Sequence, residues 1–317
     1  MPPLESEITE KYLKAGQAVA KALKLGYKLA RPGTNLYDLA TILENSIIEN
    51  GADGWSFPAN ISLDVEAAHY SPIIDDSKTL PKEGLLKIDL GGHVDGYVSD
   101  AAITVNLGNS EKYNNLIRAV KDALYAAIPL FKPGVPLRDI GTAIEREITK
   151  FDGLRPVANL GGHQLKQWDL HAGAFVPNVS NFTEKYVLKE GDQFACEPFA
   201  TNGYGAIKNG TDMTIFRVKG IKKKKNLPMH EKIRLQNFKK KFKSFPFSPR
   251  WIDFIPKNQI NGVISKYIRQ GILDGYHVFI ERGNGIVSQH EHTIIVTKDG
   301  GIPTTWWEDF DYKDLWN

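Results

Sequence analysis

The chain has 317 residues, 42% of them hydrophobic and 24% charged, with a net charge of +3 at pH 7. That is enough for a large core, as one big domain or two ordinary ones, and the composition is that of a globular protein. No apolar run approaches the roughly 18 residues needed to span a membrane. The N-terminus MPPLESEITEKYLK has no signal-peptide core, and Cys196 is the only cysteine, so an intrachain disulfide is excluded and a reducing, cytoplasmic setting is expected.

The charge is unevenly spread. Residues 217–250 hold 13 Lys and Arg against one acid, Glu231, a local +12 that leaves −9 for the rest. An acidic body suits a cationic ligand such as a metal ion or a free amino group, and a basic segment suits a polyanion.

In chain order, Leu13, Ala18, Ala22, Leu25 and Leu29 recur at helical spacing and predict a helix over 5–30, stopped by RPG at 31–33. A second helix is predicted over 34–50, with Thr34 as N-cap and Gly51 as stop. The pattern then repeats with a shift of 101. Residues 10–48 match 111–149 without a gap at 15 of 39 positions, including the shared PG-x-x-L-x-D-x-x-T-x-x-E-x-x-I. Amphipathic helices resemble one another, but the shared punctuation is not helical, so an internal duplication is expected. It would give two similar halves related by a pseudo-two-fold, with ligands drawn from both.

The stretch LLKIDLGGHVDGYVSDAAITV (85–105) reads as a β-hairpin with an acid in each arm, Asp89 and Asp100. A pivot between Val94 and Asp95 would set them directly opposite each other. Two like charges so placed repel and lose hydration. A bound cation would explain them, and so would one Asp facing solvent; the hairpin alone leaves both open.

The second half gives Gly161-Gly162-His163, His171, and Glu197 inside the apolar run FACEPF, where a lone carboxylate is costly. Residues 217–275 break the pattern with two short helical stretches joined by PFSPRW and read as an insertion. Residues 277–301 read as another hairpin-like pair, with Glu291 before TIIV. His290 and His292 alternate onto the opposite face from Glu291 and are expected to be structural. The tail 306–317 is acidic and aromatic.

Asp89, Asp100, His163, Glu197 and Glu291 are thus four carboxylates and one imidazole in apolar or Gly-framed strand contexts. That donor set suits a pair of hard to borderline divalent cations, which together can polarise a carbonyl and activate water. His69 and His171 remain as hydrogen-bonding or acid–base groups. The order and spacing, Asp, eleven residues to Asp, then His, Glu and Glu, resemble those of the methionine aminopeptidases over almost all of residues 5–305. The 94 residues from Glu197 to Glu291, with FPFSPRW between them, resemble the type 2 enzymes in a short, archaeal-style form. Neither the N-terminal domain of prolidase and creatinase relatives nor the eukaryotic type 2 extension is expected.

The resemblance implies an α+β pita-bread fold: pseudo-two-fold halves around a curved antiparallel sheet in residues 1–216 and 276–305, a helical insertion at 217–275, and the tail. It implies removal of the N-terminal methionine from nascent polypeptides, by attack of a hydroxide shared between two divalent metals, Mn, Fe, Co or Zn. Asp89 would chelate one metal, Asp100 and Glu291 would bridge both, and His163 and Glu197 would complete the other site, with Glu197 also helping to deprotonate the water. His69 and His171 would contact the substrate amide and the tetrahedral intermediate, and Phe57, Leu170 and Ile215 would line the methionine pocket. A monomer that binds neither DNA nor membrane is implied. Segment 217–250 reads as a solvated basic face or as a dock for ribosomal RNA. A metal-silent RNA-binding relative and an Xaa-Pro peptidase of the same fold are the competing readings; the five filled ligand positions oppose the first, and the insertion opposes the second.

Overall fold

The structure, a computed structural model, describes residues 6–180, 183–219 and 228–306. The Lys222–Lys225 run and all of the tail beyond Trp306 lie outside these residues.

Helices α1 (Ser6–Leu29) and α2 (Leu36–Glu49) form the first pair. The N-cap of α2 is Asn35 rather than Thr34. The Asn35 side chain accepts from Asp38 N at 3.1 Å, while the Thr34 hydroxyl turns back to Leu29 O at the end of α1. Strands β1 (Gly54–Leu63), β2 (Glu66–Ala68), β3 (Gly84–Val94) and β4 (Tyr97–Leu107) complete the first half. The second half runs α3 (Asn114–Ala127), α4 (Leu137–Ile148), β5 (Arg155–Pro156), β6 (Gly161–Leu165), β7 (Phe175–Pro177), β8 (Gln193–Cys196), β9 (Phe199–Thr201) and β10 (Ile207–Val218). After α5 (Met229–Phe242) and α6 (Ile260–Arg269), the chain returns through β11 (Leu273–Glu281), β12 (Val287–Gln289), β13 (His292–Thr297) and β14 (Gly300–Pro303).

The named strands pair antiparallel, in the orders β1-β3-β4, β14-β13-β8-β6-β7, β12-β9-β5 and β10-β11-β2. The first two groups meet along β4 and β13. Glu291 N donates to Ala102 O at 3.0 Å, and Asp100 N donates to the Thr293 hydroxyl at 2.7 Å. One curved surface results, with α1 and α2 behind one half and α3 and α4 behind the other.

The repeat is visible residue by residue. Leu39, Leu43 and Ile47 of α2 are buried in one core with Ile88 and Leu90, and Ile140, Ile144 and Ile148 of α4 are buried in another with Val176, Phe194 and Ile294. Gly33 N bonds to Leu80 O in the first half, and Gly134 N bonds to Leu188 O in the second. Nine residues beyond Leu80 is Asp89, and nine beyond Leu188 is Glu197. The duplication therefore delivers a carboxylate to the same place in each half.

Helices α5 and α6 build a separate aromatic core around Phe238, Phe242, Phe247 and Tyr267. The segment is fastened to the body by Arg250, which pairs with Glu44 of α2, and by Phe216 and Phe247, whose backbones bond to each other. Residues 277–301 are not a single hairpin. β11 pairs with β10 and β2, β12 pairs with β9, and only β13 and β14 form a hairpin. Neighbouring stretches of sequence here belong to different parts of the sheet.

Candidate metal centre and substrate cavity

The β3–β4 hairpin turns at Asp95-Gly96, both residues at positive φ (50° and 78°), the geometry that favours Asp-Gly in two-residue hairpin loops. The pivot is therefore one position later than the sequence suggested. Asp89 faces Ala102 and Asp100 faces Gly91, with no bulge between these strands. The two acids are diagonal rather than directly opposed. A slip of two in the pairing preserves parity, so both still point to the same face of the sheet.

Glu197 lies just past β8, and Glu291 lies between β12 and β13, at matching breaks in two neighbouring strands. His163 on β6 brings its Nε2 to 3.5 Å from Asp100 Oδ2 and 3.6 Å from Glu197 Oε1. Gly162 allows this approach, because a Cβ there would collide with the carbonyl of Ala195 on β8. Gln289 donates to Glu197 Oε2 at 3.2 Å and to Glu291 Oε2 at 3.1 Å.

Burial dominates the electrostatics. It raises Asp89 to about 7. Asp100, Glu197 and Glu291 are pushed well above the usual carboxylate range, by burial first and then by one another's charges. Asp89 Oδ1, Asp100 Oδ1 and Glu291 Oε1 are buried without a hydrogen-bond partner. Ligand atoms from Asp100, His163 and Glu291 lie within 4.8 Å of one another, and Asp89 and Glu197 adjoin them. Ionised carboxylates so confined are costly without a cation, and their oxygen-rich set with one imidazole fits divalent metal.

The same five side chains line one cavity of about 320 Å³, together with His69, His171, Phe57, Leu170 and Ile215. All ten side chains singled out in the sequence thus meet in one place. His69 follows β2 at φ +69, with its Nδ1 3.3 Å from His277 O and its ring centroid 4.4 Å from that of Phe279. A ring nitrogen facing a carbonyl carries the proton, so Nε2 of His69 is left with its lone pair. The His171 ring lies 4.4 Å from that of His163. Both His69 and His171 are lowered to about 4, chiefly by burial, and are neutral at pH 7.

Sequence reasoning passed over Gln289, Asn60, Tyr276 and Phe279, which bond to the carboxylates or line the cavity. Gln289 carried a signal, since it precedes Glu291 by two and strand alternation puts both on one face. Asn60 pairs across strands with Asp89. His290 and His292 are buried, with Nδ1 of His290 3.2 Å from Gln289 O and Nδ1 of His292 2.6 Å from the Thr305 hydroxyl.

The sequence profile of metallopeptidase family M24 matches residues 10–298. The chain is 40% identical over 297 residues to a methionine aminopeptidase of Pyrococcus abyssi, covering 93% of this chain and 99% of that one. Among solved structures, a thermophilic Arx1 superposes with a TM-score of 0.81 at 20% identity, covering 96% of this chain and 92% of that one. A methionine aminopeptidase of Thermotoga maritima superposes with a TM-score of 0.69, also at 20% identity, with 96% and 98% covered. At that identity the two structures speak for the fold, which is the pita-bread fold expected from the sequence.

Proposed function

The chain belongs to metallopeptidase family M24, and from that membership we propose that it is a methionine aminopeptidase, removing the N-terminal methionine of nascent polypeptides by metal-dependent hydrolysis. The observation that carries this reading is the single cavity in which a buried, under-bonded carboxylate cluster stands beside two neutral imidazoles and an apolar wall.

Asp89, Asp100, His163, Glu197 and Glu291 would hold divalent metal, two ions in this reading, and Mn, Fe, Co and Zn all suit the donors. Such ions, when bound, polarise the scissile carbonyl and acidify water. The chain's own residues do the rest. Glu197, whose carboxyl is pushed up by burial, is suited to taking a proton from the attacking water. His69 presents its Nε2 lone pair to the N–H of the scissile amide, and the neutral His171 donates to the oxygen that gains charge. Phe57, Leu170 and Ile215 receive the methionine side chain, and their burial keeps water from it. The acidic lining favours the free α-amine of the substrate.

We further assign the catalytic domain to residues 1–216 and 276–305, the insertion to 217–275, and a separate tail to 306–317. The protein would act as a cytoplasmic monomer. The basic insertion would dock on ribosomal RNA through Lys239 and Lys240, which are exposed on α5; Lys241 pairs with Asp253, and the Lys243 ammonium lies over the Trp168 ring. Reversing the charge of Lys239 and Lys240 should weaken ribosome co-sedimentation and flatten its salt dependence; unchanged co-sedimentation would remove the proposal.

The activity is tested on Met-Ala-Ser and Xaa-Pro peptides, with metal-stripped and metal-restored protein alongside Glu197→Gln. Methionine release that requires metal and falls sharply in Glu197→Gln supports the reading. Absence of metal-dependent methionine release would overturn it, and Xaa-Pro cleavage would favour a prolidase.

A further inference from the structure

His69 holds φ +69, a left-handed backbone conformation uncommon outside glycine, and its surroundings hold it there. The surroundings that do so are continuous. The Thr214 hydroxyl on β10 donates to His69 O at 3.1 Å and accepts from Ser71 N at 3.0 Å, which commits both of its roles. Arg250 donates through Nε to Pro72 O at 2.8 Å and through Nη2 to the Ser71 hydroxyl at 3.2 Å. Its fork is held by Glu44, with Nη1 2.9 Å from Oε2 and Nη2 2.7 Å from Oε1. Glu44 in turn accepts from the Trp251 indole N–H and from Ala59 N. Ser71, Thr214 and Glu44 are all buried.

We propose that Thr214 and Arg250 are positioning residues for His69, fixing the chain at 69–72 so that the imidazole meets the scissile amide, and that the insertion thereby contributes Arg250 to the geometry of the catalytic site. Neither residue lines the substrate cavity: Thr214 and Pro249 line a second cavity, of about 520 Å³, and the wall of the substrate cavity on β10 is the neighbouring Ile215. A hydrogen bond to the carbonyl of His69 limits rotation of the peptide that carries the ring. A second clamp two and three residues on keeps the segment from relaxing as a unit. Misplacement of a reacting group by about 1 Å costs on the order of 100-fold in rate.

The inference rests on the assignment of His69 to the scissile amide, so the experiment includes His69→Ala. Thr214→Val, Thr214→Ser, Arg250→Lys and His69→Ala are compared with the wild type, each metal-loaded and assayed on Met-Ala-Ser, with KM and kcat separated and Tm recorded. Thr214→Val is nearly isosteric and loses the hydroxyl. It should lower kcat about 10-fold or more with KM within about 2-fold, and Thr214→Ser should restore most of the rate. Arg250→Lys keeps the charge beside Glu44 but loses the fork, and should lower kcat in the same selective way. A wild-type kcat in Thr214→Val, or a loss that Thr214→Ser fails to restore, would overturn the proposal while a deficient His69→Ala left the role of His69 standing. Should Thr214→Val not fold, a wild-type kcat in Arg250→Lys would overturn it equally. A wild-type kcat in His69→Ala would remove the role of His69 and this proposal with it.

Discussion

Arg250 and Glu44 form a two-pronged ion pair, 2.9 and 2.7 Å, with both side chains almost wholly removed from water. Glu44 belongs to α2 of the body and Arg250 to the segment that follows α5, 206 residues later in the chain. Removing one partner strands the other charge in the interior. Glu44→Leu should therefore destabilise the protein by about 3 kcal/mol or more, read as a lower urea midpoint, whereas Glu44→Leu combined with Arg250→Met should recover much of the loss. A single variant as stable as the wild type would show that the pair is not under this constraint.

Gln289 is the neutral member of the carboxylate cluster. Its amide donates to both Glu197 and Glu291, fixing which oxygens of each remain turned inward. Gln289→Leu should weaken divalent metal binding by about 10- to 100-fold in a calorimetric titration. Gln289→Glu, which replaces the donor by a further acid, should also lose the orienting bonds. Unaltered affinity in Gln289→Leu would assign the residue to packing alone.

The buried carboxylates set how metal and pH act together. Asp89 is raised to about 7 from its usual value near 4, so proton binding favours the folded metal-free protein below pH 4, and that benefit is lost as pH rises through 7. His69 and His171, lowered to about 4, act in the opposite sense and cost stability as pH falls below their usual 6.5. Above pH 6.5 the carboxylates therefore dominate. Added divalent metal, which replaces those protons, should raise Tm more at pH 8 than at pH 6. An equal gain at both values would contradict the cluster's role as the metal's ligand set.

Gly96 tests the hairpin tip. Its φ of +78 is awkward for any other residue, and a Cβ there would overlap the Trp168 indole. Trp168 N bonds to Gly96 O, and Leu170 and His171 follow in the same loop. Gly96→Ala should displace that loop and raise KM for methionyl peptides several-fold, with about 1–3 kcal/mol lost in stability. If the peptide kinetics are unchanged while stability falls, the loop is not held by this contact.

Much of this site could be read from the sequence because its parts carry local marks. Asp89 and Asp100 stand out among apolar neighbours, and the Asp-Gly turn announces the hairpin. Glu197 and His163 stand out for the same reason, and the duplication shows in the Pro-Gly that follows α1 at 32–33 and recurs after α3 at 133–134. Other features depend on partners far along the chain. The hairpin pivot lies one position beyond the expected one because turn residues at Gly91, Gly92, Asp95 and Gly96 allow several pivots, and the strand register with the φ angles at 95 and 96 chooses between them. Residues 277–301 suggested one hairpin because local sequence does not reveal that β11 closes on β10 and β2 while β12 closes on β9. Gln289 is less conspicuous than the acids because it is uncharged, and the insertion separates Tyr276 and Phe279 in sequence from the other residues lining the cavity.

The equivalence of Asp89 and Glu197 has a thermodynamic side. Each half brings its own acids to the seam where β4 meets β13, so neither half holds a full set of donors. A metal ion held by donors from both halves would act as a reversible cross-link between the two repeats. Its occupancy and the opening of the seam are then coupled equilibria, each weighting the other by the same factor. With metal bound, two like halves of one chain would in this way behave as one cooperative unit.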